Sequence, residues 1–333
     1  MDPRAVVIDR PGSLHVVARE PGEPGPGEAL VRVAWSGICG SDREILAGGR
    51  PEGFVRYPVV PGHEWSGTVA AVGAGVSPDL LGRPVVGEGF RSCQECDACR
   101  RGENNLCAAE YDETGFTRPG AWADFLALPA RLLHVLPDGA DLRAAAALEP
   151  AACAAEACLR LAAVAGDRVA VVGAGALGLL GAQLLAAASP AELVVVDRNR
   201  ERAELAESCG ATGFSTPEAA PHGRFDVVLE AAGAPGTARL ATRLARRGGR
   251  VALTGLAAED DQPPAPTELV LSALAVTAVF GAPSRAWTHA VRAFAAGALD
   301  PARITGRTYP LEDAAAALRA HAEQDAVKVL LHP

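Results

Sequence analysis

The chain has 333 residues, with 31 Lys and Arg against 40 Asp and Glu for a formal charge of −9, and 49% hydrophobic residues. That length predicts two domains, each large enough for a core of its own. No apolar stretch reaches the roughly 18 uninterrupted residues of a membrane-spanning helix, and the start, Met1 to Arg10, carries charges where a secretory signal would be apolar. An acidic balance without Lys/Arg blocks excludes a nucleic-acid footprint or an anionic-membrane surface. Small-molecule chemistry in the cytoplasm is the expectation.

Up to about residue 148 the chain reads as short apolar runs broken by Gly and Pro, among them Ala29 to Ala34, Gly67 to Val72 and Pro84 to Gly87, which predicts an irregular β-rich domain. Within it, Cys93, Cys96, Cys99 and Cys107 follow the spacing Cys-x2-Cys-x2-Cys-x7-Cys in a polar loop. Disulfides are not expected in a reducing compartment. Short spacings let four thiolates close a tetrahedron around one Zn²⁺ with no position left for substrate, a structural site. Cys153, Cys158 and Cys209 fall in Ala-rich helical patterns and read as buried, inert thiols.

From about Pro150 the texture changes to alternating helices and strands, with apolar runs at Arg168 to Val172, Leu193 to Val196, Phe225 to Leu229, Arg250 to Leu253 and Val276 to Phe280. This alternation predicts a doubly wound parallel sheet. The first run enters Gly173-Ala174-Gly175-Ala176-Leu177-Gly178, a helix-favouring segment follows, and Asp197 closes the next strand 19 residues after Gly178. Glycines there allow a tight turn, approach of the backbone to a pyrophosphate and close helix–strand packing, with the helix N-terminus facing the phosphates. Asp197 would accept hydrogen bonds from the adenosine ribose and repel a 2′-phosphate, which selects NAD; Arg198 and Arg200 are the neighbours that could instead accept that phosphate. After Gly281 come helical patterns at about Ser284 to Ala296 and Leu311 to Ala322, then a last apolar run, Val327 to Leu331, expected to return to the first domain.

Lys328 is the only lysine. A Gly-Lys-Ser/Thr phosphate loop is therefore absent. So is a Tyr-x-x-x-Lys pair, since Gln324 stands four residues before Lys328. Three further residues have metal-ligand chemistry: Cys39 in Gly37-Ile-Cys-Gly-Ser-Asp42, and His63 with Glu64 in Pro61-Gly-His-Glu-Trp-Ser-Gly67. A lone cysteine and a histidine 24 residues later would ordinarily be core residues. Beside a dinucleotide domain they read instead as a soft thiolate, an imidazole and a carboxylate able to hold zinc with an exchangeable position, and Glu149 adds a second carboxylate.

These motifs, in this order, resemble the zinc-dependent medium-chain dehydrogenases over essentially the whole chain. The resemblance implies an α/β protein: a GroES-like, β-rich catalytic domain formed by residues 1–149 and 284–333, around a Rossmann NAD-binding domain at 150–283. It implies two zinc ions per chain, one structural on the four cysteines and one catalytic on Cys39, His63, Glu64 and Glu149, with NAD held by Gly173, Gly175, Ala176, Leu177, Gly178, Asp197 and Arg198. Glu149-Pro150 resembles the polyol branch, that of sorbitol and glucose dehydrogenases, where the second glutamate binds zinc directly or through water. More locally, Tyr57 to Gly67 and Gly115-Phe-Thr-Arg-Pro-Gly120 look like segments of 2-deoxy-scyllo-inosamine dehydrogenases, which oxidise an aminocyclitol.

The expected reaction is NAD-linked oxidation of a secondary alcohol to a ketone, or the reverse, with Ser41 taking the hydroxyl proton and Asp42 orienting His63. The histidine that commonly passes that proton onward is Glu44 here. Arg43 and Glu44 read either as a polar rim or as solvated surface. Polyols, cyclitols and aminocyclitols are the expected substrates, with threonine or a simple secondary alcohol as alternatives. The expected partners are that small molecule and further copies of the chain, as a dimer or tetramer. A non-catalytic dinucleotide-binding protein is the competing class, against which Cys39, His63 and Glu64 argue.

Overall fold

A computed structural model describes residues 2–256, 263–324 and 326–333. The first seven strands are β1 (Arg4–Arg10), β2 (Ser13–Ala18), β3 (Glu28–Gly37), β4 (Trp65–Val72), β5 (Pro84–Gly87), β6 (Phe125–Pro129) and β7 (Leu133–Val135). Val31 and Val33 of β3 are buried while Arg32 between them lies outward over the Phe125 ring. That period of two is what a half-buried antiparallel strand requires.

Then come β8 (Arg168–Val172), β9 (Glu192–Val196), β10 (Gly213–Ser215), β11 (Phe225–Glu230), β12 (Ala245–Leu253) and β13 (Ala275–Ala278), all parallel, in the order β10-β9-β8-β11-β12-β13. This is the 3-2-1-4-5-6 order of dinucleotide-binding doubly wound sheets. Val169, Ala170, Val171 and Val172 are all buried, because helices cover both faces of such a sheet and remove the alternation.

The chain ends with β14 (Thr305–Pro310) and β15 (Lys328–His332). They complete a seven-stranded sheet, β14-β15-β3-β4-β5-β7, with β6 also on β3. Two compact units result: Met1–Glu149 with Thr305–Pro333, and Pro150–Ile304.

The return to the first unit thus comes at Thr305 rather than at residue 284, where the sequence placed it. The helix Ser284–Ala295 stays with the second unit: it buries Ala286, Trp287 and Ala290, and Arg285 donates to the buried Glu156 carboxylate. The following loop is tied there too, since Gln183 accepts from the Asp300 amide at 2.6 Å and donates to its carbonyl at 3.2 Å. Amphipathicity alone does not say which of two cores a helix covers.

Phe225, fully buried at the start of β11, anchors the second unit's core with Val228, Leu244 and Val251. Phe225→Ala is expected to lower stability by about 3–5 kcal/mol in urea unfolding.

Candidate functional site

Strand register assembles the first cluster. In the antiparallel pair β3–β4, Ser36 faces Trp65, and the Gly37 amide donates to the Glu64 carbonyl at 2.8 Å. Continuing that register past the strand end sets Cys39 beside the His63 segment. Donor atoms of Cys39, His63 and Glu64 accordingly lie within 4.8 Å of one another. Gly37 leaves the space for Glu64, because a Cβ there would sit 2.1 Å from its Oε2.

Cys39 caps the helix Gly40–Ala47, and Asp42, fully buried, accepts the Cys39 amide at 2.9 Å. The other Asp42 oxygen stands 3.7 Å from His63 Nδ1, and neither atom has a hydrogen-bond partner among the described residues. The imidazole's second nitrogen remains for the cluster. Burial disfavours the His63 cation, but Asp42, then Cys39 and Glu149, outweigh it and hold its pKa well above the ordinary value. Such a negative surround, with a thiolate, an imidazole and a carboxylate converging, fits a divalent cation such as zinc. Glu149, in the first turn of the helix Leu148–Leu161, acts on His63, Lys328 and Glu113 through its charge. Ser41 is half-buried in the first turn of its helix.

Three residues of this neighbourhood were not singled out as site residues by sequence reasoning. Lys328, 3% exposed, donates to both Glu64 oxygens at 2.7 and 2.5 Å and to the Ile38 carbonyl at 3.2 Å. Burial disfavours its ammonium, yet Glu64 first and Cys39 next hold its pKa above the ordinary lysine value. Its being the only lysine was the available signal. Arg50 pairs with Glu44 at 3.1 Å and lies over the Phe116 ring, whose other neighbour is the His63 ring at 4.7 Å. Glu44 is therefore an exposed partner of Arg50, and Arg43 is exposed as well. Glu113, also buried, is held by the Tyr111 hydroxyl. Burial pushes its carboxyl up to about 8, against His63 and Arg50 and with Glu149.

The four-cysteine loop closes as expected. Cys93 and Cys99 sulfurs are 3.9 Å apart and those of Cys96 and Cys107 4.0 Å, close to the ~3.8 Å edge of a tetrahedron with Zn–S near 2.3 Å. These separations are far beyond the ~2.05 Å of a disulfide, and none of the eight cysteines is in a disulfide. Amides of Glu95 and Cys96 point at Cys93 Sγ and that of Ala108 at Cys96 Sγ, favouring thiolates; the Cys96 thiol is pulled down to about 6. Cys209 is buried, while Cys153 and Cys158 are partly covered; burial raises the Cys158 thiol to about 12.

In the second unit β8 runs into Gly173, at φ +105, and Gly175 caps the helix Ala176–Ala186. A Cβ on Gly178 would lie 2.0 Å from the Gly173 carbonyl oxygen, so only glycine lets helix and turn pack. Asp197 follows β9 directly and accepts the Ala174 amide at 2.7 Å and the Asn199 amide at 2.8 Å. Arg198 and Arg200 are exposed; Arg202, not considered from the sequence, reaches the loop through the Ala174 carbonyl at 3.0 Å.

The alcohol dehydrogenase GroES-like domain matches residues 25–138, and the zinc-binding dehydrogenase family matches residues 176–296. The chain belongs to the zinc-binding dehydrogenases. It is 34% identical over 318 residues to an L-threonine 3-dehydrogenase of Streptomyces coelicolor, covering 92% of each protein. It is also 34% identical to L-galactonate-5-dehydrogenase of Escherichia coli, over 75% of each. A zinc-binding dehydrogenase from Sinorhizobium meliloti solved bound to NADP superposes with a TM-score of 0.93 at 31% identity, each chain covered completely. Among the described residues no helix is long and apolar enough to cross a membrane.

Removing Lys328 would strand the Glu64 carboxylate in the interior. Lys328→Met is expected to cost this dehydrogenase about 3–5 kcal/mol in urea unfolding, and the double variant with Glu64→Gln to recover most of the loss.

Proposed function

We propose that this dehydrogenase oxidises a secondary alcohol of a polyol, cyclitol or aminocyclitol to the ketone, or catalyses the reverse, with NAD preferred to NADP. The observation that carries the reading is the convergence of Cys39, His63 and Glu64 at the joined ends of β3 and β4, beside a second, closed set of four thiols. Zinc held by the three-residue cluster, with Glu149 nearby, would lend Lewis acidity to an alcohol oxygen, and a nicotinamide would accept hydride. Ser41 Oγ, half-buried, would accept the hydroxyl proton while passing its own on to solvent. Asp42, 3.7 Å from His63 Nδ1, acts on the imidazole through its charge, and Lys328 holds the Glu64 carboxylate in place.

The substrate class rests on a site rich in acceptors. Glu64 and Glu149 bring two carboxylates to the cluster, an anionic and oxygen-rich site that suits hydroxyl or amino groups beside the carbinol. The named substrates of the relatives, threonine and galactonate, are both secondary alcohols with further polar groups. The aminocyclitol preference draws on Gly115–Gly120, whose Phe116 packs against His63. A cytoplasmic location fits eight cysteines without a disulfide. Assembly with further copies of the chain, as a dimer or tetramer, is supported by β13, an edge strand with Val276 exposed and Phe280 exposed just beyond it.

Metal analysis should count two zinc ions per chain. Cys39→Ala should retain one and lose turnover with the fold kept, whereas Cys96→Ala should lose the other and lower the melting temperature. An active, fully loaded protein with a single zinc would sink the two-site reading. In an assay of NAD reduction, turnover should be best on 2-deoxy-scyllo-inosamine, then sorbitol, then threonine and a simple secondary alcohol; best activity on the simple alcohol would overturn the substrate class.

Bringing a 2′-phosphate beside the Asp197 carboxylate costs about 1–3 kcal/mol, or roughly ten- to a hundredfold in affinity. Catalytic efficiency with NAD should exceed that with NADP by that factor, and Asp197→Ala should erase most of the difference. Equal efficiencies in the unmodified enzyme would show that a neighbouring arginine compensates.

A further inference from the structure

Glu113 is an acid that the reaction as derived above does not use. It is 7% exposed, and among the described residues its carboxylate receives one hydrogen bond, from the neutral Tyr111 hydroxyl. The charges of His63 and Arg50 act on it favourably but do not offset its burial, and Arg50 itself is paired with Glu44 and lies over the face of Phe116. Burying a carboxylate on one neutral donor costs several kcal/mol that an apolar side chain would not. Stability therefore gives no reason for an acid at this position.

Its placement gives one. The Glu113 amide donates to Thr117 Oγ1 at 2.8 Å, and its carbonyl accepts from Phe116, Thr117 and Arg118, so the backbone is locked in a tight turn. Tyr111, which holds the carboxylate, is itself packed against Phe54 at 4.7 Å and Phe90 at 6.2 Å. Three residues on, Phe116 lies against the His63 ring, and the charges of His63 and Glu149 act on Glu113. A rigidly held acid with no ion-pair partner among the described residues is thus set beside the residues that would receive the alcohol.

We propose that Glu113, positioned by Tyr111, is a specificity-determining residue that receives a protonated amino group of the substrate, so that the enzyme takes vicinal amino alcohols in preference to the matching diols. The inference rests on the dehydrogenase reading above and names the group that this site distinguishes. An aliphatic amine is protonated at neutral pH, as lysine is. A hydroxyl on a carboxylate gains from one ionised partner, whereas ammonium on a carboxylate gains from two opposite charges and adds their Coulomb attraction in a buried site. An ammonium next to a carbinol that approaches a divalent metal also needs a counter-charge; burial pushes the Glu113 carboxyl up to about 8, and an arriving ammonium draws it into the ionised form that supplies the charge.

The test compares the zinc-loaded enzyme with Glu113→Gln, which keeps the shape and the Tyr111 bond and removes the charge. The substrates are trans-2-aminocyclohexanol and trans-1,2-cyclohexanediol, followed by NAD reduction and by calorimetric titration. Wild type should favour the amine by about tenfold or more in kcat/KM. Glu113→Gln should weaken the amine about 10- to 100-fold, through KM and the calorimetric Kd, and change the diol less than about twofold. Glu113→Asp should keep part of the preference, and Tyr111→Phe should lower it about threefold with Glu113 intact. An amine-to-diol ratio that no variant changes, or a parallel loss on both compounds at equal zinc content, would overturn the inference and leave the dehydrogenase reading standing. Oxidation of a simple secondary alcohol with neither compound accepted would overturn both.

Discussion

The ammonium of Lys328, sealed between the Glu64 carboxylate and the Ile38 carbonyl, joins three stretches of sequence that the first unit must hold together. Two of them are the ends of β3 and β4, and the third is the last strand of the chain. Taking both charges out of water costs several kcal/mol each, and the pair is tolerable only because its geometry is two-pronged and a backbone oxygen takes a further proton. The backbone runs in parallel with it: β15 pairs with β3, and the Ile38 amide donates to the Val329 carbonyl at 3.0 Å. Cys39 follows Ile38 directly, and His63 precedes Glu64. The position of the metal-type cluster is thereby tied to the closing of the sheet.

Charge is matched locally rather than spread through that unit. Glu64 has Lys328, Glu44 has Arg50, and His63 has the charge of Asp42 at 3.7 Å, too long for a hydrogen bond. The four-cysteine loop follows the same logic with backbone amides directed at its sulfurs. Glu113 is the exception, and exceptions to local compensation are where discrimination between ligands is found.

In the second unit the constraint is steric. The Gly173 turn and the Gly178 contact bring the start of a helix close against the end of β8, while Asp197 reaches back from the end of β9 to the Ala174 amide. Both oxygens of Asp197 are anchored to backbone, so the carboxylate that would meet a ribose has a fixed position. A parallel sheet delivers these pieces because its strand ends align on one side.

Spacing along the chain determined whatever is local. The four cysteines lie within fifteen residues of one another and the three glycines within six, so loop length alone brings each set together; the strands Arg168–Val172 and Pro84–Gly87 were legible to the residue from their apolar runs. Cys39, His63 and Glu64 were legible as a set through their motifs, and the two-domain architecture through the change of texture near Pro150. Only the tertiary structure decided what depends on distant segments. The helix Ser284–Ala295 went to the second unit because Arg285 meets Glu156 there. Lys328 became the partner of Glu64 across 264 residues, and Glu113 was buried under Tyr111 by a turn packed through Phe116 on His63. The physical reason is the same in each case: burial and electrostatic partnership are properties of surfaces that form when separate elements pack, and no local pattern encodes which surface an element will meet.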